Sequence, residues 1–160
     1  MLNDFTTCDE IRAVLGVSDE EIEDSTLLLP MYATVLKLAL AEVNTDLEVL
    51  YLAAKASATP SDVEKKLVDV VSVFSAYAIA NHLLTSMPLF APQRITDGRA
   101  EVGRVADPFE GVREGVTSYL QLLKARINKL LELLGQTVTP GIIRTYIGIS
   151  KLAVNPVTNA

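Results

Sequence analysis

One cysteine, one histidine and no tryptophan leave a chain of 160 residues poorly equipped for chemistry. Cys8 has no second thiol to pair with inside the chain, so an intrachain disulfide is excluded, and a lone thiol suits assembly in a reducing compartment. His82 has no companion histidine or cysteine at ligand spacing, so no metal site is expected. No glycine-rich run precedes a Lys-Ser or Lys-Thr pair, and no Gly-x-Ser-x-Gly elbow occurs, so phosphate-loop and serine-hydrolase chemistry have no footing. The carboxylate pairs Asp9/Glu10 and Glu20/Glu21 fall where helices are expected to begin, and free amides there attract them without any catalytic role. No catalytic residue and no cofactor is expected.

Positive charge is also scarce. Fourteen Lys and Arg face twenty Asp and Glu, a net charge of −6. Gripping a nucleic-acid backbone needs clustered cations, so an acidic chain is a poor candidate for it. Long apolar runs are lacking too: Leu27–Leu29 is stopped by Pro30, and Val70–Ala80 is interrupted by Ser72 and Ser75. A membrane span needs ~20 apolar residues, so no membrane partner is expected. Asp4 spoils the basic-then-apolar pattern of a signal peptide.

Apolar content, by contrast, is high, at 49% of residues with a mean hydropathy of +0.30. A surplus with no membrane segment to absorb it points to burial between subunits. The pattern is mainly α-helical, a small bundle over residues 1–135 followed by an extended docking tail over 136–160. Thr7-Cys8-Asp9-Glu10 is a capping box, Ile11, Val14 and Leu15 form a short apolar face, and Gly16 stops the helix. Ser18-Asp19-Glu20-Glu21 repeats the capping signature and predicts a second helix at once. Pro30 starts, kinks or breaks a helix, beyond which Tyr32, Val35, Leu36, Ala39, Leu40 and Val43 recur at helical spacing. Leu47, Leu50, Tyr51 and Ala54 resume the stripe, with Asn44-Thr45-Asp46 able to bend or restart it. After a linker at 56–61, either Thr59-Pro60 or the box Ser61-x-x-Glu64 opens a helix carrying Val63, Leu67, Val70, Phe74, Tyr77 and Leu84. It is predicted to run to about Met87, where Pro88 ends it.

Residues 88–107 form a Pro/Gly-punctuated excursion in which Asp97-Gly98 reads as a two-residue hairpin turn between short strands. A long final helix follows from Asp107-Pro108. Its stripe is Phe109, Val112, Val116, Leu120, Leu123, Ile127, Leu130 and Leu134, in steps of three and four, and Gly135 closes it. A rod that long exceeds the needs of one small globule, so its flank is expected to pack on another subunit. Arg94, Arg99 and Arg104 recur every five residues and Arg113 follows. They read either as a solvated loop or as an arm pairing with carboxylates of a neighbour. In the tail, Ile142, Ile143, Tyr146, Ile147 and Ile149 are β-branched or aromatic and are candidates for docking.

Ile11–Ile22 has the outline of a helix-turn-helix. A DNA-reading version presents Arg, Lys, Gln or Asn at the start of its second helix, where this chain has Asp19, Glu20, Glu21 and Glu23. A plain two-helix corner is the expectation.

The order of parts resembles the head–tail connector (adaptor, or head-completion) proteins of tailed bacteriophages. A short capped helix ends in Leu15-Gly16-Val17-Ser18-Asp19, two long helices follow, then an excursion with Ile95-Thr96-Asp97-Gly98-Arg99, a long helix and a tail. The resemblance covers roughly residues 5–134 and rests on this order and a few short strings. It implies a helical bundle assembling as a ring, usually of twelve, beneath the portal. Its partners would be further copies of itself, the portal protein and the next neck or tail protein, in a virion neck assembled in the host cytoplasm. Genomic DNA would pass through without sequence-specific binding, which an acidic lining permits. The family implies no catalytic residue. Alternatives are another small phage assembly factor, of tail completion or scaffold type, and, less favoured, a DNA-binding regulator.

Overall fold

The computed structural model describes residues 2–86, 94–96, 101–103 and 110–136. Seven helices are present among these residues: α1 (Leu2–Phe5), α2 (Cys8–Leu15), α3 (Asp24–Leu27), α4 (Pro30–Val43), α5 (Leu47–Ala56), α6 (Asp62–Ser86) and α7 (Glu110–Leu133). The mainly α, small-bundle architecture read from the sequence is the one observed.

Helix α6 is the axis of the bundle, in contact with α1, α2, α4, α5 and α7. Its expected stripe buries Leu67, Phe74 and Leu84 but leaves Val63, Val70 and Tyr77 half-buried. Val71, Ala78, Ile79 and Leu83 are buried as well, because helices cover α6 from several sides at once. Ser75 lies inside this core and its hydroxyl donates to the Val71 carbonyl at 2.7 Å, so it costs little there. The interruption assigned to the serines is therefore weak. Asp62–Thr85 is long and apolar enough to cross a membrane by length and composition, with an 18-residue window of mean hydropathy 1.5, and 56% of that window is buried within the fold. That corrects the expectation that no segment approaches such a span.

The caps decide where the elements start and stop. Thr7 and Glu10 form the reciprocal box at α2, and Gly16, at φ 70°, ends it in the left-handed region. Ser61 and Glu64 open α6, the Ser61 N–H donating to Glu64 Oε2 at 2.6 Å, so the box prevails over Thr59-Pro60. Pro30 is the first residue of α4. Asn44 ends α4 in extended backbone, and its side chain accepts from the Asp46 N–H at 2.8 Å. The stripe therefore restarts as α5 and does not bend through. Gly135, at φ 71°, closes α7, with the Gln136 N–H donating to the Leu131 carbonyl and the Gly135 N–H to that of Glu132.

Two expectations are corrected. Ser18–Glu21 makes a single turn and not a second helix: the Ser18 carbonyl accepts from Glu21 and Ile22, and α3 begins only at Asp24. Five carboxylates in six residues repel one another, and one turn of helix is too little to offset its nucleation. Arg12, only 6% exposed, fixes the alternative path by donating to the Ile22 carbonyl at 2.9 Å, to Asp9 at 3.0 Å and to Asp24. The hairpin exists, with β1 (Arg94–Thr96) antiparallel to β2 (Glu101–Gly103), but Thr96 pairs with Glu101. That register leaves four residues between the strands in place of a two-residue turn, and it sets Ile95 opposite Val102 where the shorter turn would set it opposite Ala100.

Helix α1 had no periodic signal. Phe5 stacks on Tyr51 with ring centroids 4.5 Å apart, while the Asp4 carbonyl accepts from the Tyr51 hydroxyl at 2.8 Å and from the Lys55 ammonium. Along α7, Val116, Leu120, Leu123, Ile127 and Leu130 are buried, as the stripe requires, and so is Leu131, off the stripe, whereas Val112 is exposed. The helix has 24 residues and spans about 36 Å.

Leu123→Asp places an unpaired carboxylate in the seam, at a cost of several kcal/mol, and is expected to abolish cooperative unfolding seen by circular dichroism in urea. A variant as stable as the parent would show that the seam is not buried. The Glu10 carboxyl is held below the usual range by the Thr7 N–H and the Thr6 hydroxyl, and that of Glu64 by the Ser61 N–H and hydroxyl. Depressed folded-state values mean stability present at neutral pH and lost as pH falls through them. The melting temperature is therefore expected to drop between about pH 5 and about pH 3, and Glu10→Gln with Glu64→Gln to flatten that drop. An unchanged slope would show that neither carboxylate is coupled to folding.

Candidate functional site

Where α4, α6 and α7 meet, the packing leaves an open groove of about 380 Å³. Its floor is Phe74, Ala78 and Leu120, and its α4 wall is Val35, Leu38 and Ala39. The groove exists because two of the residues facing it are alanines, Ala39 and Ala78, where larger side chains would fill it. Polar groups sit at its edges. Lys124 Nζ meets Glu42 Oε2 at 3.3 Å, the Thr117 hydroxyl donates to Asn81 Oδ1 at 3.4 Å, and His82 lies edge-on to the Tyr32 ring at 6.1 Å. Leu38, on the rim, is 63% exposed.

The groove offers apolar surface and hydrogen bonds but no reactive pair. Burial pushes the Tyr32 hydroxyl up, so it stays protonated. Cys8, at the start of α2, is half-buried. Burial and then the Asp24 carboxylate push its thiol up, the opposite of what a nucleophile needs. Among the described residues no group of three His, Cys, Asp or Glu side chains could hold a metal ion. What the arrangement can do is receive a partner's apolar side chains.

A second apolar surface lies on the outer side of α7. Tyr119 and Leu122 are exposed beside the buried seam, and Leu133 is 65% exposed. Tyr119 rests on Tyr77 of α6 with centroids 4.8 Å apart. A third is the turn into α4, where Leu28, Leu29 and Met31 are each about half exposed, following in sequence the exposed Asp19, Glu20, Glu21 and Glu23.

Of the arginines expected to act together, Arg113 is half-buried near the start of α7, beside Glu114, Thr117 and Ser118, and Arg94 begins β1 opposite Gly103. Arg99 and Arg104 lie outside the described residues, as do Ile142, Ile143, Tyr146, Ile147 and Ile149. The turn at Asp97-Gly98 and the helix start at Asp107-Pro108 and Phe109 lie outside them too. The groove was not foreseen from the sequence. Its signal is faint: of its lining, Leu38 is a large apolar residue that falls off the three-four stripe of α4. The chain matches no family model, and neither a curated protein nor a solved structure matches it.

Leu38→Lys changes a rim residue that supports no core contact, so stability is expected to stay within about 0.5 kcal/mol while binding of a hydrophobic dye falls. A large loss of stability would show that Leu38 belongs to the core.

Proposed function

We propose that this chain is a structural protein of a tailed-bacteriophage neck, a head–tail connector that forms a ring beneath the portal and docks the next neck or tail protein. The observation that carries the reading is the amount of large apolar surface left uncovered on the helices, led by Leu38, Val49, Leu122 and Leu133, each 55% exposed or more. Isolated exposed leucines are ordinary, but large exposed apolar residues on α4, α5 and α7 of one small bundle call for partners. The acidic balance supports a channel through which DNA slides without being held. The single turn at Ser18–Glu21 counts against a DNA-reading regulator, which needs a recognition helix there.

A tail-completion or scaffold-type factor shares the same chemistry and differs in copy number and place. Particles made without this chain are expected, in negative-stain images, to be filled or leaking heads that lack tails. Quantitative mass spectrometry of normal particles is expected to find it in the neck at the portal's copy number. Tailed particles formed in its absence, or its absence from mature particles, would overturn the connector reading.

A further inference from the structure

Helix α7 has two working sides. One is the buried seam. The other runs along Gly111, Gly115, Leu122, Arg126, Lys129 and Leu133, again in steps that keep them on one flank, with Tyr119 beside them. The three carboxylates of α7, Glu110, Glu114 and Glu132, step along a different side of the helix. Arg126 and Lys129 are exposed and form no ion pair among the described residues. The flank is thus apolar and basic.

Its glycines sharpen the point. Gly111 and Gly115 lie inside a helix, where glycine is weaker than alanine, and no atom lies within 4 Å of where a Cβ would stand on either. Nothing among the described residues requires them to be glycine. A second chain approaching closely would.

The turn leading into α4 has the complementary character. Asp19, Glu20, Glu21 and Glu23 are exposed, and Leu28 and Met31 follow at about half exposure. No Lys or Arg occurs between Arg12 and Lys37, and Arg12 is committed to Asp9 and Asp24. Apolar and acidic here, apolar and basic on α7, the two surfaces match in chemistry but are different parts of the chain.

We propose that the occupant of the α7 flank is a second copy of this chain, docked through its acidic α3–α4 corner. Such a contact is head to tail. Each joined pair keeps one free surface of each kind, and a rotation that closes the series makes a ring. Arg126 and Lys129 pair with the corner carboxylates, the leucines of both surfaces become buried, and the glycines set the approach distance. The inference rests on the ring-forming reading above and names the seam that joins neighbouring copies.

The test is sedimentation velocity of the full chain at low salt, with charge reversals at exposed positions that form no ion pair among the described residues. Wild-type chain is expected to associate with rising concentration. Arg126→Glu with Lys129→Glu, and separately Asp19→Lys with Glu20→Lys, should each associate roughly tenfold more weakly, and an equimolar mixture of the two should recover. Gly111→Ala with Gly115→Ala should raise the melting temperature and still weaken association. Wild-type behaviour from the corner variant would mean that α7 pairs with something else, and would overturn the proposal. So would a wild-type chain monomeric up to its solubility limit, or a glycine variant that melts higher yet associates normally. If particles need the chain while the reversal variants associate normally, only this seam is wrong and the connector reading stands.

Discussion

A helix of 25 residues that is apolar around most of its circumference cannot sit at the edge of a small protein. Helix α6 is such a helix, and burial of Leu67, Val71, Phe74, Ile79 and Leu84 on different sides of it requires other helices all around. The positions of α1, α2, α4, α5 and α7 follow from that requirement. Even the four-residue α1 serves it, laying Phe5 on Tyr51 so that Leu2 and Phe5 close one side of the core. Arg12 acts at the other kind of weak point, an acidic turn that cannot become a helix, by holding the Ile22 carbonyl and the Asp24 carboxylate from one guanidinium.

Covering α6 does not use up the apolar surface of the covering helices. Helix α4 turns Tyr32, Leu36 and Leu40 inward and leaves Leu38 outside; α7 turns Val116, Leu123 and Ile127 inward and leaves Leu122 and Leu133 outside. The groove between them stays open because alanines face it, and its polar rim is already paired within the chain. The surface therefore offers apolar contact with charge at the margins, basic along α7 and acidic before α4. That division is the physical basis of the proposed assembly role.

Much of this was legible in the sequence, and the reasons differ by element. The capping boxes at Thr7 and Ser61, the proline at position 30 and the glycines at 16 and 135 are local signals, and the chain obeys them. The stripe of α7 was readable from Val116 to Leu130 because one neighbouring helix buries one face. The stripe of α6 was read too narrowly, since a helix covered on several sides loses its periodicity. At Ser18 only half of the box formed: its N–H and hydroxyl donate to the Glu21 carboxylate, while the Glu21 N–H goes to the Ser18 carbonyl. No helix follows, because the outcome turned on Arg12, a residue that no local pattern singles out. The pairing of Thr96 with Glu101 is a matter of strand register, which is non-local and which the Asp97-Gly98 signal does not carry. The groove and the α7 flank were hidden for a related reason. The α7 flank is made of residues that miss the stripes, and the groove is a gap between stripe residues such as Val35, Phe74 and Leu120 that only the packing shows.

The central claim is that the uncovered surfaces are there to build a multi-copy assembly on a portal. The most direct measurement is the mass, by native mass spectrometry, of the chain mixed with its portal ring. The account predicts a discrete complex carrying one copy of this chain for each portal subunit. A portal that binds no chain, or a single copy, would contradict it.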